Sequence, residues 1–351
     1  MRKPKDKDFI ETEEGLIFCV VGYLHPPQSF TAYLKYVPQP NGKWTRDHTS
    51  YRRAIDHYHV DEVNQTFVWL RENHPEYLFK CPVRNITIST VPNSRVLAYY
   101  EPEKRLQELF TSKKRDRLEA QVCQLVDSLS DLTGLSSNDF GVTGSVLLKT
   151  HNIVFSDIDL TVMGLEAAHQ VIEFFAETQG LVRPPFQDAP AGKKERWIRE
   201  RVKRFPLTKA EAKLFLGRRW NYGYFGDRYF SIHAVRTDAE IDEVYGESRY
   251  VPLGQAEGSG KVKSAAESVF LPAVYRVENV VASVDTEEEI REVVSYEGLY
   301  SDVVKDGERF RFRGLIERVD SSGGTSYRVL IGSSQLGGRD FIKPLVGQDS
   351  A

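Results

Sequence analysis

The sequence predicts a multidomain protein that combines α/β and α+β units with a C-terminal all-β unit. The chain has 351 residues, more than one ordinary domain needs. Apolar residues recur with the helical period in its middle part and alternate with period two in its C-terminal part. Hydrophobic residues make up 40% and charged residues 28%, the balance of a folded globular protein.

Residues 1–108 are predicted to form an N-terminal α+β domain. The runs "GLIFCVVGYL" and "FTAYLKYV" are rich in β-forming residues, and the "PQPNGK" that follows is typical of a turn. Residues 60–73 have helical spacing, with four apolar residues on one face: Val60, Val63, Phe67 and Leu70. "NITISTV" is another candidate strand, and Pro102 lies in the first turn of a further helix, "PEKRLQELF".

Residues 109–250 are predicted to form a central domain. Its clearest helix lies at 113–134, where Gly134 supplies the stop. One stripe of that helix is apolar: Leu118, Val122, Leu125, Val126, Leu129 and Leu132. A second amphipathic helix is expected at 165–180. The order helix, strand, short helix, strand, helix indicates an α/β core.

Residues 251–351 are predicted to form a small C-terminal β-barrel-like domain with five strands. Four runs alternate apolar and polar residues, and the last two flank the hairpin turn "DSSGGT". In the run "RFRFRG", Phe310 and Phe312 are expected to point inward and the arginines outward.

Charge and cysteine content exclude several classes of protein. The net charge of −3 indicates no overall basic surface. Three distant cysteines without CxxC spacing argue against a disulfide framework and a structural zinc site, and favour a reducing compartment. The longest apolar run, 15–24, is about half of the roughly 20 residues that span a bilayer. The N-terminus mixes both charge signs without an apolar core, unlike a signal peptide. We therefore expect a cytoplasmic protein with no membrane partner.

The stretch "FGVTGSVLLKTHNIVFSDIDLTVMG", residues 140–164, carries the candidate chemistry. Asp157 and Asp159 are two residues apart, so on a strand their carboxylates leave the same face and can share divalent cations. Upstream, Gly144 and Ser145 begin a helical turn that offers free N–H groups and a hydroxyl donor to phosphate. A phosphate cradle beside a carboxylate pair is what metal-assisted nucleotidyl transfer needs.

This stretch resembles the active-site signature of the polymerase-β-type nucleotidyltransferase superfamily: a Gly-Ser pair, a short spacer, and an acid-x-acid pair on a strand. "SDIDL" is among the commonest forms of that pair. The resemblance covers 140–164 closely and 115–180 loosely. The three-domain order is similar to that of uncharacterised archaeal proteins described as nucleotidyltransferases. The resemblance implies a mixed-sheet core with helices. It also implies triphosphate binding by Gly144 and Ser145, and Mg²⁺ or Mn²⁺ binding by Asp157 and Asp159.

The resemblance further implies a third carboxylate on a neighbouring strand, which acts as base for the acceptor hydroxyl. The expected strand, "RYFSIHAV", holds Ser231 and His233 and no acid. His233 faces the same side as Ser231, and its imidazole can accept a proton or bind a softer metal. Asp227, just before the strand, is the nearest acid. Either His233 or Asp227 is the candidate third element; the alternative is an incomplete site.

Segment 193–219 is strongly basic, with eleven Lys or Arg residues against three Glu. The ordinary explanation of such a basic segment is a solvated helix face with i,i+4 Glu–Arg pairs. Two Glu residues, however, cannot neutralise the cations of the helix expected in the first part of the segment. Lys193, Lys194 and Arg196 are candidate nucleotide-binding residues, and the segment is a candidate contact for an RNA or DNA acceptor. The following "RRWNYGYF" adds aromatic residues for base stacking, at least half of which are expected to pack in the core.

Other readings of the Asp-x-Asp pair are weaker. The DxDx[TV] loop of haloacid-dehalogenase-type phosphatases fits this stretch, but "GDRYFS" places Ser231 where the downstream GDxxxD motif has its second Asp. The DxD of sugar-nucleotide transferases lacks a preceding nucleotide-sugar fold signal. A solvated strand end with two acids is the remaining explanation, and the Gly-Ser pair at the right distance disfavours it.

The sequence therefore predicts an enzyme, a metal-dependent nucleotidyltransferase. It would move a nucleoside monophosphate from a nucleoside triphosphate to an acceptor hydroxyl and release pyrophosphate. A nucleic-acid 3′ end is the favoured acceptor, although DNA, RNA, a protein side chain and a small alcohol all suit this chemistry. The alternative prediction is a non-catalytic nucleic-acid-binding protein on a degenerate nucleotidyltransferase core.

Overall fold

The computed structural model describes residues 2–55, 60–177, 185–333 and 336–345. These residues form a multidomain α+β protein with three sheets and seven α-helices. The described strands are β1 (Phe9–Thr12), β2 (Ile17–Val20), β3 (Ser29–Pro38), β4 (Trp44–Arg46), β5 (Thr49–Arg53), β6 (Leu78–Cys81), β7 (Ile86–Pro92), β8 (Val96–Tyr100), β9 (Phe140–Val142), β10 (Ile158–Met163), β11 (Phe186–Gln187), β12 (Tyr222–Phe225), β13 (Arg228–Val235), β14 (Ser248–Ser264), β15 (Ala273–Ala282), β16 (Ile290–Ser295), β17 (Arg309–Ser321), β18 (Gly324–Ile331) and β19 (Phe341–Pro344).

The described helices are α1 (Val60–Asn73), α2 (Pro102–Thr111), α3 (Arg117–Thr133), α4 (Gly144–Leu147), α5 (Leu165–Glu177), α6 (Ala191–Arg204) and α7 (Lys209–Arg218). The end of the helix expected at 165–180 lies outside the described residues. None of the described helices combines the length and the apolar character needed to cross a bilayer.

Packing groups the chain into two compact units. Unit 1 comprises 1–56, 89–189 and 220–242, and unit 2 comprises 57–88, 190–219 and 243–351. Unit 1 thus combines most of the N-terminal strands with the Asp-x-Asp sheet, and unit 2 combines the basic segment with the C-terminal strands. The predicted division into three domains stays a prediction.

The N-terminal sheet of unit 1 has the strand order β4-β5-β3-β2-β1-β8. Its core includes the fully buried Phe9, Ile17 and Tyr36, which cluster with Leu147 and Leu148 from the end of α4. The helix that begins with the Gly-Ser pair is therefore anchored by its apolar end in this sheet.

The second sheet of unit 1 has the order β11-β12-β13-β10-β9 and carries the Asp-x-Asp pair. β10 and β13 are parallel, and Asp159 is in register with Ser231. Ile158 and Leu160 are fully buried on the opposite face, where α5 packs on both strands and α3 packs on α5. The predicted order helix, strand, short helix, strand, helix occurs as α3, β9, α4, β10 and α5.

Helix α3 ends at Gly134 as predicted, but it begins at Arg117 and not at the predicted residue 113, because Asp116 caps it. Asp116 and Glu119 form a reciprocal capping box at its start, and Gly134 ends it with a φ of 78°. The predicted apolar stripe is buried as far as Leu129. The prediction is wrong for Leu132, whose side chain is 42% exposed. The buried part of the stripe ends one turn earlier, at Leu129.

The sheet of unit 2 has the order β14-β15-β16-β18-β17-β19, and β14 also pairs with β17. The pairing therefore returns to the first strand, and the sheet curls into part of a barrel. Phe310 and Phe312 are buried inside it and the intervening Arg311 is exposed, which confirms the predicted alternation. Helices α6 and α7 pack apolar side chains into the same core: Ile198, Phe205, Ala212 and Phe215.

Candidate functional site

The Gly-Ser turn lies directly against Asp159. Gly144 has a φ of 64°, and a Cβ added there would stand 2.6 Å from Asp159 Oδ2. The backbone of Thr143 donates a hydrogen bond of 2.8 Å to the carbonyl oxygen of Asp159. A residue with a side chain would collide with the carboxylate and would also strain the left-handed backbone. Glycine at this position is thus what allows the two sequence motifs to form one site.

A hydrogen-bonded row crosses the two parallel strands from Asp159 to His233. Ser231 Oγ donates to Asp159 Oδ1 at 2.5 Å and lies 3.1 Å from His233 Nε2. Because a carboxylate only accepts, the single hydroxyl proton of Ser231 is committed to Asp159. His233 Nε2 therefore carries a proton and donates a hydrogen bond to Ser231 Oγ.

Asp157 immediately precedes β10 and is exposed. The loop before it is fixed by Arg228, a buried residue at the start of β13. Its two terminal nitrogens donate hydrogen bonds of 2.9 Å to the carbonyl oxygens of Ser156 and Ile153. The loop exposes three apolar side chains: Ile153, Val154 and Phe155. Sequence reasoning missed this loop, although Arg228, the first residue of "RYFSIHAV", was the available signal.

Ser145 is nearly buried, and its hydroxyl makes no hydrogen bond to another described residue. Thr143, which precedes α4, does not cap the helix with its side chain. Its hydroxyl instead donates to the carbonyl oxygen of Lys7 at 2.7 Å. The first N–H groups of α4 therefore lack a side-chain cap from Thr143. The N-terminal segment was predicted only as a mixed-charge end, and it contributes directly to this turn.

Asp227 has different neighbours from those of Asp159. Gln121 Nε2 and Arg117 Nη2, both from α3, donate to its carboxylate at 3.1 Å. The hydrogen bond from Gln121 and the charge of Arg117 lower the pKa of the exposed Asp227 carboxyl. The hydrogen bonds of the site connect Asp159 with Ser231 and His233, and those of Asp227 lead to α3.

The basic segment forms α6 and α7 of unit 2. Lys193 and Arg196 are exposed on α6 and Lys194 is partly exposed. Arg196 pairs with Glu200 at 2.8 Å, which is the i,i+4 pair that the ordinary explanation expects. The structure thus places these three residues on a solvated face of unit 2.

Asp157 and Asp159 offer carboxylate oxygens, the ligands that Mg²⁺ and Mn²⁺ prefer. A second set of metal-binding residue types, Asp116, Glu119 and His151, places one ligand atom from each within 4.8 Å of the others. These side chains already have partners in unit 1. Asp116 accepts from His151 Nε2 at 2.8 Å, and Glu119 accepts from Arg105 at 2.5 Å. The three residues of this second set thus form the N-terminal cap of α3 and the ion pairs around it.

The chain is similar to an uncharacterised protein of Methanocaldococcus jannaschii. The two are 29% identical over 349 residues, which cover 97% of this chain and 99% of that protein. No family model matches the chain. No solved structure matches it. Because the similarity extends over nearly all of both chains, regions corresponding to units 1 and 2 occur together in both proteins.

Proposed function

We propose that this protein is a metal-dependent nucleotidyltransferase that moves a nucleoside monophosphate from a nucleoside triphosphate to an acceptor hydroxyl. The observation that carries the proposal is the 2.6 Å between the Cβ position of Gly144 and Asp159 Oδ2. It joins the two halves of the motif, a phosphate-binding turn and a metal-binding carboxylate, within one small volume. A solvated strand end would not require glycine at that point.

The carboxylates of Asp157 and Asp159 fit a divalent cation. Asp159 Oδ1 accepts from Ser231, and Oδ2 lies on the open Gly144 side. A bound Mg²⁺ would neutralise triphosphate charge and stabilise the charge that develops on the phosphorus oxygens. Asp157 and Asp159 are the residues that would hold it.

The chain's own groups then have separate tasks. Ser145 and the N–H groups of its turn bind the phosphates, and Ser231 fixes the orientation of Asp159. His233 is the group through which the acceptor hydroxyl loses its proton. The acceptor oxygen forms a bond to the α-phosphorus, the bond from that phosphorus to the bridging oxygen breaks, and pyrophosphate leaves with the electron pair.

Unit 2 supports a nucleic acid as the acceptor. The strand order β14-β15-β16-β18-β17 with a β14–β17 pairing, and β16 parallel to β18, is that of the OB-fold, a partly open barrel that often binds oligonucleotides. Arg201 and Arg219 lie over the Trp197 ring with their Cζ atoms at 5.0 and 5.5 Å from its centre.

One observation favours the alternative of a non-catalytic nucleic-acid-binding protein. Ser231 stands beside Asp159, on the strand where the resemblance implies a third carboxylate. In that case the site would retain ligand binding without efficient transfer.

The test offers α-labelled ATP, CTP, GTP and UTP separately, with Mg²⁺ or Mn²⁺, to total RNA, DNA oligomers and the protein itself. Asp157→Asn/Asp159→Asn serves as the inactive comparison. Label transferred by the wild type alone supports the proposal and identifies donor and acceptor together. RNA or DNA binding by both proteins, with no transfer from any donor, would support the non-catalytic alternative.

A further inference from the structure

We propose that unit 2 contains a second, independent binding site for a phosphate group, built around Arg84. The proposal does not depend on the nucleotidyltransferase assignment, because every residue that carries it belongs to unit 2. It rests on a partly buried positive charge that has hydrogen-bond donors around it and no acceptor of its own.

The Arg84 guanidinium makes no hydrogen bond and no ion pair with any residue that the structure describes. Its described neighbour is the ring of Tyr296, whose centre lies 5.3 Å from Arg84 Cζ. A guanidinium has five N–H donors, and withdrawing it from water without an acceptor is costly. A ring face compensates only part of that cost. The arrangement is therefore suited to an anion that arrives from solution.

The carboxylate of Glu317, which acts electrostatically on Arg84, is already paired with another arginine. Glu317 Oε2 accepts from Arg328 Nη2 at 2.7 Å and from Arg328 Nε at 2.8 Å. Arg328 also lies over the ring of Tyr250, with Cζ 3.9 Å from the ring centre. Both members of that ion pair are buried. Glu317 also acts electrostatically on Arg84, but its carboxylate is bound by Arg328, so it does not accept a hydrogen bond from Arg84.

Tyrosine hydroxyls, which can donate to an anion, belong to the same part of unit 2. The hydroxyls of Tyr250 and Tyr296 make no hydrogen bond to a described residue, while that of Tyr245 lies 2.9 Å from Cys81 Sγ. The backbone N–H of Tyr250 donates to the carbonyl oxygen of Val83 at 2.9 Å, which fixes the turn that carries Arg84.

Electrostatics agree with this geometry. Burial raises the pKa of the Tyr250 hydroxyl, and the charges of Arg328 and Arg84 act in the opposite direction. Tyr296 and the carboxylate of Glu243 add to the increase. Arg84 and Tyr250 therefore influence each other directly. A tetrahedral phosphate has more acceptor oxygens than a carboxylate, and it can engage a guanidinium fork and two hydroxyls together.

The test measures binding by calorimetry, and the thermal midpoint Tm in parallel, at constant ionic strength and without divalent metal. The probes are inorganic phosphate, AMP and a short single-stranded RNA without terminal phosphates. Arg84→Met removes the charge, and Tyr296→Phe removes one hydroxyl and keeps the ring. Arg318→Met is the matched control, because Arg318 is another arginine of unit 2 and already pairs with Asp320.

We expect at least one probe to bind the wild type and Arg318→Met equally. Arg84→Met should weaken that binding at least about tenfold, the loss of one charge-assisted interaction. Without probe, Arg84→Met should unfold at nearly the same Tm, because Arg84 makes no hydrogen bond and no ion pair with a described residue. Tyr296→Phe should weaken binding by a smaller factor. The probe that binds most tightly indicates the natural ligand of the site. Phosphate indicates a free anion, AMP indicates a nucleotide, and RNA indicates a polynucleotide backbone.

Two results would overturn the proposal. One is the absence of binding by all three probes. The other is binding that both Arg84→Met and Tyr296→Phe leave unchanged. If Arg84→Met does not fold, the affinity of Tyr296→Phe alone decides the matter.

Discussion

Replacing Gly144 with alanine tests the contact on which the candidate site depends. The φ of 64° makes alanine cost about 1 kcal/mol at this position. The new Cβ would also stand 2.6 Å from Asp159 Oδ2, so the carboxylate must turn away and give up its hydrogen bond from Ser231. Overpacking and that loss each cost roughly 1–3 kcal/mol. We therefore expect Gly144→Ala to lower the free energy of unfolding by about 3–7 kcal/mol.

Gly134→Ala is the matched control, because Gly134 also has a positive φ, 78°, and a Cβ there would meet nothing within 4 Å. Urea unfolding should show only the backbone cost, about 1 kcal/mol, for that variant. In an Asp159→Ala background the added cost of Gly144→Ala should fall to the same level. Equal costs for the two glycine variants, or a Gly144→Ala cost that Asp159→Ala does not reduce, would refute the reasoning.

Three further predictions concern Ser231, Arg228 and Glu297. Ser231→Ala removes the donor that orients Asp159, so the rate of nucleotide transfer should fall roughly tenfold to a hundredfold in labelled-nucleotide assays with little change in fold; an unchanged rate would exclude an orienting role. Arg228→Ala removes two hydrogen bonds from a charged donor, and urea unfolding should show a loss of about 2–5 kcal/mol, which Arg276→Ala at an exposed site should not reproduce. Burial, with a smaller contribution from Asp340, raises the pKa of Glu297 from 4.5 to about 8. The folded state therefore keeps a proton that the unfolded state loses, so this contribution to stability is complete at low pH and is lost as pH rises toward 8. Glu297→Gln has no proton to lose there, so its free energy of unfolding should lack this part of the decline with pH, which is at most about 1.4 kcal/mol per unit of pKa difference. An unchanged pH profile of urea unfolding in Glu297→Gln would contradict this prediction.

The parts of the site that are close in sequence were predictable from it. The spacing of the Gly-Ser pair and the Asp-x-Asp pair reflects a turn and a strand that contact each other, and the residues between them span only one loop. The alternation of Ser231 and His233 also predicted correctly that both face the side of Asp159. Such local periodicity follows from backbone geometry alone.

The contributions from distant parts of the chain could not be predicted. Lys5 and Asp8 are buried although the N-terminal sequence looks like a solvated end. Their partners, such as Asp238 for Lys5 and Arg2 for Asp8, are identified only once the chain is folded. Arg84 directly precedes the candidate strand "NITISTV", but its surroundings depend on side chains from three other segments. Sequence periodicity does not record such contacts.

The central claim, that the Asp159 site transfers a nucleoside monophosphate, is tested most directly by comparing the fate of two labels. One nucleoside triphosphate, labelled either at the α- or at the γ-phosphorus, is incubated with Mg²⁺, the acceptor and the protein. We predict that the α-label joins the acceptor and the γ-label appears in pyrophosphate, in the wild type and in Asp227→Asn but not in Asp159→Asn. Transfer of the γ-label to the acceptor, its release as inorganic phosphate, or undiminished transfer by Asp159→Asn would contradict the account.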